Sequence, residues 1–104
     1  MEDFTVTTRL WRWQSATAPA AWFFLTIEGE AADGIRLAAI GGQWLDGRKG
    51  FGSAKVRVTI GDTCWSTSVF PHRESDGWLL PVKAAVRKAE GIAEGDEVTV
   101  TVSL

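Results

Sequence analysis

The sequence predicts one mainly β domain over residues 1–104, with two short helices. Three observations carry this. Residues 54–60 and 98–104 alternate strictly between apolar and polar side chains, the period of a half-buried strand. Gly61-Asp62 stands between two such runs as a two-residue hairpin turn. Pro81 and Gly91 bracket a helical pattern in the second half of the chain. A chain of 104 residues with 45% hydrophobic and 23% charged side chains is a normal size and composition for one domain with its own core.

Along the chain, Phe4 to Trp13 reads as a strand. Phe4, Val6, Thr8 and Leu10 share one face, and Thr5, Thr7, Arg9, Trp11 and Trp13 share the other. Both faces become bulky and apolar near the end, so a bulge or a two-sided environment is expected there. Gln14 to Ala20 reads as a loop. Trp22 to Ile27 is a continuous apolar run, the pattern of a strand covered on both sides. Glu30 to Ile40 reads as a short helix with Ala31, Ile35, Ala38 and Ala39 inward, although Gly34 weakens it. Gly41 to Gly52 holds five glycines around Trp44, Arg48, Lys49 and Phe51 and reads as a loop. Such glycine density fits either an irregular connection or a close approach to a ligand.

The second half is more sharply defined. Gly61-Asp62 suits a type II′ turn, which sets the register: Ile60 opposite Thr63, Val58 opposite Trp65, Val56 opposite Thr67 and Ala54 opposite Val69. Lys55 and Arg57 then oppose Ser68 and Ser66 on the outer face. Trp78 to Leu80 reads as a short strand. Pro81 fits the first helical position, Val82, Ala85, Val86 and Ala89 fit a buried stripe, and Gly91 fits the left-handed cap with Ile92 after it. Val98, Val100, Val102 and Leu104 give the last strand its inward face.

Composition narrows the function. A net charge of −2 opposes broad nucleic-acid binding, which needs a dominant positive field. The single cysteine, Cys64, allows no intrachain disulfide. No apolar run approaches the ~20 residues that span a bilayer, and no secretory signal pattern opens the chain. The expected setting is cytoplasmic, with no membrane association. Six tryptophans and no tyrosine are unusual: they fit a core filled with large rings or a stacking surface for a ligand.

Catalytic patterns are absent from the sequence. His72, the only histidine, lies in a polar connection and reads as a solvated side chain. Cys64 reads as a plain strand residue, since a reactive thiol needs a lowered pKa. No metal-ligand spacing and no cofactor fingerprint is present, so none is assigned. The best constellation for binding is cationic. Arg57 lies on the outer strand face, Lys83 and Arg87 stand four apart on the second helix, and Arg48 and Lys49 sit in the glycine loop with Trp44 and Phe51. Lys83 and Arg87 repel each other unless an acidic neighbour or a bound anion compensates. These seven residues are the candidate ligand site, for a small anionic ligand or a protein partner.

The run from Leu80 to Val98 resembles the swapped-hairpin repeat of AbrB-type and MazE-type transcription regulators, with a strand, Pro-Lys, an Arg-bearing helix, a Gly-Ile corner, Gly-Asp and a valine-rich strand. More of the chain resembles the uncharacterised bacterial family numbered nineteen-oh-five among the domains of unknown function. Gly50-Phe51-Gly52-Ser53, Val56-Arg57-Val58-Thr59-Ile60-Gly61, Ser68-Val69-Phe70-Pro71 and Leu79-Leu80-Pro81-Val82-Lys83 carry that likeness. The chain departs from it at Thr26-Ile27-Glu28-Gly29-Glu30, where members commonly carry a proline. The resemblance implies a double-split β-barrel of the AbrB-like class and no activity. AbrB-type barrels use two chains. Here Trp22 to Ala39 loosely echoes Trp78 to Ala89, so one chain is expected to supply both halves, as a monomer or a homodimer. DNA-binding regulation by fold analogy, and an enzyme of unknown reaction, are the alternatives.

Overall fold

A computed structural model describes residues 3–14, 16–17, 21–46, 53–72 and 76–104, without the side chains of 39–46. The elements are β1 (Asp3–Arg9), β2 (Trp11–Gln14), β3 (Ala21–Ile27), α1 (Glu30–Asp46), β4 (Ala54–Ile60), β5 (Thr63–Pro71), β6 (Trp78–Pro81), α2 (Ala84–Glu90) and β7 (Glu97–Ser103). The strands form one antiparallel sheet in the order β1-β7-β4-β5-β6-β3-β2.

β1 and β2 lie at opposite edges of that order, yet only Leu10 separates them in the chain. The sheet must therefore curl until its two edges come together at that corner, giving a half-barrel. Leu10 is the joint. Its N–H donates to the Asp96 carbonyl at 2.9 Å and its carbonyl accepts from the Gly95 N–H at 2.8 Å, while its side chain is fully buried. Before Leu10 the strand pairs with β7; after it the strand pairs with β3. The single strand expected from Phe4 to Trp13, with a bulge or a two-sided environment near its end, is thus two strands meeting at a buried corner.

The concave face is the core. Val56, Val58 and Ile60, Val98, Val100 and Val102, and Leu25, Ile27 and Leu80 all point into it. Each such side chain contributes about 1.5–3 kcal/mol by leaving water. The hairpin register is as the turn predicts at every pair from Ala54↔Val69 to Ile60↔Thr63. Gly61 has φ +57° and Asp62 has no positive φ, the pattern of a type II′ turn. Gly91, at φ +64°, caps α2, and the Ile92 N–H donates to the Arg87 carbonyl.

Five expectations need correction. α1 runs through Gly41 and Gly42 to Asp46, so 41–46 is helix rather than loop. Ala31, Ala32 and Ile35 form its buried face, whereas Ala38 is exposed. Gly34 is there for space: a Cβ would lie 2.5 Å from the Phe4 ring. Pro81 is the last residue of β6, not the first of a helix, because pairing with β3 continues through Phe24↔Pro81 and the Val82 N–H donates to the Phe23 carbonyl. α2 therefore begins later, and Ala85 and Ala89 are exposed, leaving Val82 and Val86 to anchor it. β3 is covered on one side only, since Trp22 on its convex face is half exposed. Among the described residues, no helix is long and apolar enough to cross a membrane.

Candidate functional site

Strand registers sort the convex face into two zones. Across β1, β7, β4 and β5 it is polar: Thr5 bonds Thr101 and Thr7 bonds Thr99 through their hydroxyls, and Lys55, Arg57, Cys64 and Ser66 stand outward. Across β2, β3, β6 and the end of β5 it is aromatic. Trp11 opposes Phe24, Trp13 opposes Trp22, and Phe70 opposes Leu79. Side chains facing each other across antiparallel strands share a face, so these six form one surface. They enclose a groove of about 630 Å³ with Pro71 and His72 at its rim.

The geometry of this groove is built from ring contacts. Trp22 and Phe24 are nearly parallel, 8° apart with centroids 6.2 Å apart. Trp11 tilts against Phe24 at 5.2 Å and approaches the His72 ring at 6.4 Å. The Trp11 indole N–H is used internally, donating to Thr26 Oγ1 at 2.9 Å. Trp13, Trp22 and Phe70 remain 47%, 50% and 44% exposed. Among the tryptophans whose side chains are described, Trp78 is the one given to the core, its indole donating to the Ala32 carbonyl. His72 is correspondingly half-buried at an aromatic rim, not a freely solvated loop side chain.

A second cavity of about 430 Å³ lies between the start of β3, the middle of β5 and the β6–α2 junction. Its walls include Phe23, Trp65, Ser66, Thr67, Lys83 and Arg87. The Arg87 guanidinium carbon lies over the Phe23 ring, 3.8 Å from its centroid, and Nε donates to the Val82 carbonyl at 3.2 Å. Arg87 is therefore held in place rather than waving in solvent. Among the described residues, neither Lys83 nor Arg87 has an acidic partner. Trp22 lines this cleft as well as the aromatic groove and forms the ridge between them.

The structure thus brings Lys83 and Arg87 together in one cleft. Arg57 stands on the polar convex zone, outside the cleft's lining, with Nε 3.2 Å from Cys64 Sγ. Arg48, Lys49, Phe51 and the Trp44 side chain lie outside the described residues. Phe23, Trp65 and Thr67 were missing from the sequence-based site. Their alternation shows only that they face the concave side, not that the core leaves a cleft beside them.

Cys64 differs from a plain strand cysteine. Its thiol accepts from Thr59 Oγ1 at 3.4 Å and from Arg57 Nε, and these hydrogen bonds, Thr59 first, hold its pKa below the ordinary thiol range. Among the described residues, no group of three His, Cys, Asp or Glu side chains could hold a metal ion.

The family model described as a domain of unknown function (DUF1905) matches residues 7–102, nearly the whole chain, and the chain belongs to that family. No curated protein matches it.

Proposed function

We propose that this DUF1905 domain is a non-catalytic binding module that takes a small anionic ligand with a flat apolar part in the cleft of Lys83 and Arg87. One observation carries the reading: two cations without acidic partners flank a cavity walled by the Phe23 and Trp65 rings. Two like charges four residues apart on an exposed turn repel, and an anion between them removes that cost. The cavity volume falls within the roughly 300–1,000 Å³ of small-molecule sites. With Nε spent on Val82, Arg87 keeps its two terminal nitrogens for an oxyanion. Ser66 and Thr67 also line the cleft.

The barrel type that this reading presupposes is the double-split one, with β3–α1 and β6–α2 as its two strand–helix halves. The antiparallel pairing of β3 with β6 supports it. Light scattering of a stable monomer is the expected result; an obligate dimer counts against it.

Thermal unfolding with phenyl phosphate, inorganic phosphate and benzyl alcohol as probes tests the ligand class. Phenyl phosphate should raise the melting temperature most, because it fills both halves of the cleft. At one hundred times its dissociation constant a ligand adds about 2.7 kcal/mol. Lys83→Met with Arg87→Met should abolish the phosphate-dependent part. Equal shifts for phenyl phosphate in wild type and double variant, or none in either, defeat the reading.

A further inference from the structure

The aromatic groove on the convex face adjoins the cationic cleft at Trp22 but has different chemistry. Among the described residues its lining carries no formal charge: Trp11, Trp13, Trp22, Phe24, Phe70 and Leu79, with Pro71 and His72 at the rim. Apart from the His72 imidazole, the polar side-chain groups of that lining are indole N–H groups. Indole nitrogen donates and cannot accept. Trp11 has spent its N–H on Thr26. Among the described residues, the N–H groups of Trp13 and Trp22 have no protein acceptor, and both rings are about half exposed. A neutral, donor-bearing aromatic surface is complemented by a neutral partner rich in acceptors and poor in donors.

One common polypeptide surface has that character. Proline has no N–H, and a polyproline II helix leaves its carbonyls unpaired and projecting outward. Its pyrrolidine rings stack against aromatic faces, and it meets the groove already extended, so little conformational entropy is lost on binding. A phosphate backbone is a poorer match, because the described lining offers no cation to neutralise it. We infer that the convex groove is a docking site for a proline-rich segment of a protein partner in polyproline II conformation, its carbonyls accepting from the Trp13 and Trp22 indoles and its rings packing over Trp22, Phe24 and Phe70.

The test is a titration of the ¹⁵N-labelled domain with a proline decamer, reading the indole N–H resonances, assigned through Trp→Phe variants. The decamer should shift the Trp13 and Trp22 indole signals saturably and leave that of buried Trp78 in place. A glycine-serine decamer should shift none. Trp13→Ala should weaken binding at least about tenfold, as removal of a central aromatic anchor does. Trp22→Phe keeps an aromatic ring and removes the donor, so it should weaken binding by a smaller but measurable factor. The amide spectrum of each variant reports whether it folds, and the wild-type comparison of the two decamers decides the matter if a variant does not. The inference is overturned by no saturable shift with the proline decamer, by equal shifts with the glycine-serine decamer, by a thymidine decamer binding in its place, or by indole shifts that follow protein concentration alone, which would place a second copy on the groove. Lys83→Met with Arg87→Met should leave decamer binding within twofold, so this result stands or falls separately from that for the anionic cleft.

Discussion

Replacing Gly61 with alanine should unfold the domain well below the wild-type temperature, through two separable effects. The first is backbone strain. Gly61 sits at φ +57°, where an L side chain loses about 1–2 kcal/mol. The second is a collision. A Cβ at Gly61 would fall within the space of the Glu90 carboxylate, which accepts from the Thr63 hydroxyl at 2.5 Å and ties the end of α2 to the hairpin. Moving Glu90 aside gives up a charge-assisted hydrogen bond, about 1.5–3 kcal/mol when shielded. Both partners are only half-buried, so the lower end applies. The total is about 2–4 kcal/mol, a large part of the roughly 5–15 kcal/mol that holds a domain together. At about 4–8 °C per kcal/mol, the melting temperature should fall by roughly 10–30 °C. Urea unfolding of wild type, Gly61→Ala, Glu90→Ala and the double variant separates the two effects. In the Glu90→Ala background the collision is gone and only strain remains. The double variant should then be about 1.5 kcal/mol more stable than the sum of the single effects predicts, beyond the ~0.3–0.5 kcal/mol scatter of independent sites. Strict additivity, or a Gly61→Ala variant as stable as wild type, would refute this account of the turn.

Alkylation of Cys64 by iodoacetamide, followed against pH, should reach half its limiting rate below the ordinary thiol range, because Thr59 and Arg57 favour the thiolate; Thr59→Val and Arg57→Ala should each move the profile upward. Gly34→Ala should destabilise despite alanine's better helix propensity, since the new methyl group meets the Phe4 ring; in a Phe4→Ala background the same change should stabilise by up to about 1 kcal/mol, read by urea unfolding. Leu80→Ala, at a fully buried position opposite Leu25, should lose about 2–5 kcal/mol in the same assay.

Local rules made much of the second half legible. A two-residue turn leaves no freedom of register, so β4 and β5 were readable pair by pair. The left-handed cap at Gly91 and the alternation of β7 are equally local. What escaped is set by distant partners. Pro81 obeys a helix-start rule, but pairing with Phe24 keeps it in the sheet, and the stripe counted from a helix start at Pro81 then names exposed alanines. Gly41-Gly42 looks like a break, yet α1 continues across it. The aromatic groove was hidden for a different reason. Trp22 and Phe24 alternate with Phe23 and Leu25, and two apolar faces give no sign of which one is the core. The visible signal was the repetition itself: Trp11 and Trp13 two apart, Trp22 and Phe24 two apart. Paired across adjacent strands, four large rings must share one face. The candidate cleft was half legible, through its cations, while the rings that wall it were hidden by the same ambiguity.

The joint at Leu10 has a consequence for how the chain reaches its fold. The threonine rung between Thr5 and Thr101 joins residues 96 positions apart. Closing a loop of that length from an open chain costs about 4 kcal/mol in entropy before any contact offsets it. The β4–β5 hairpin needs almost no such closure. Folding should therefore start at Gly61-Asp62 and finish when the first strand seats between its two neighbours. Because one peptide holds both edges, seating it completes the β7 side and the β3 side together, and neither seam should close or open alone. The folding barrier is then expected to lie before that event, with the first ten residues as its last participants.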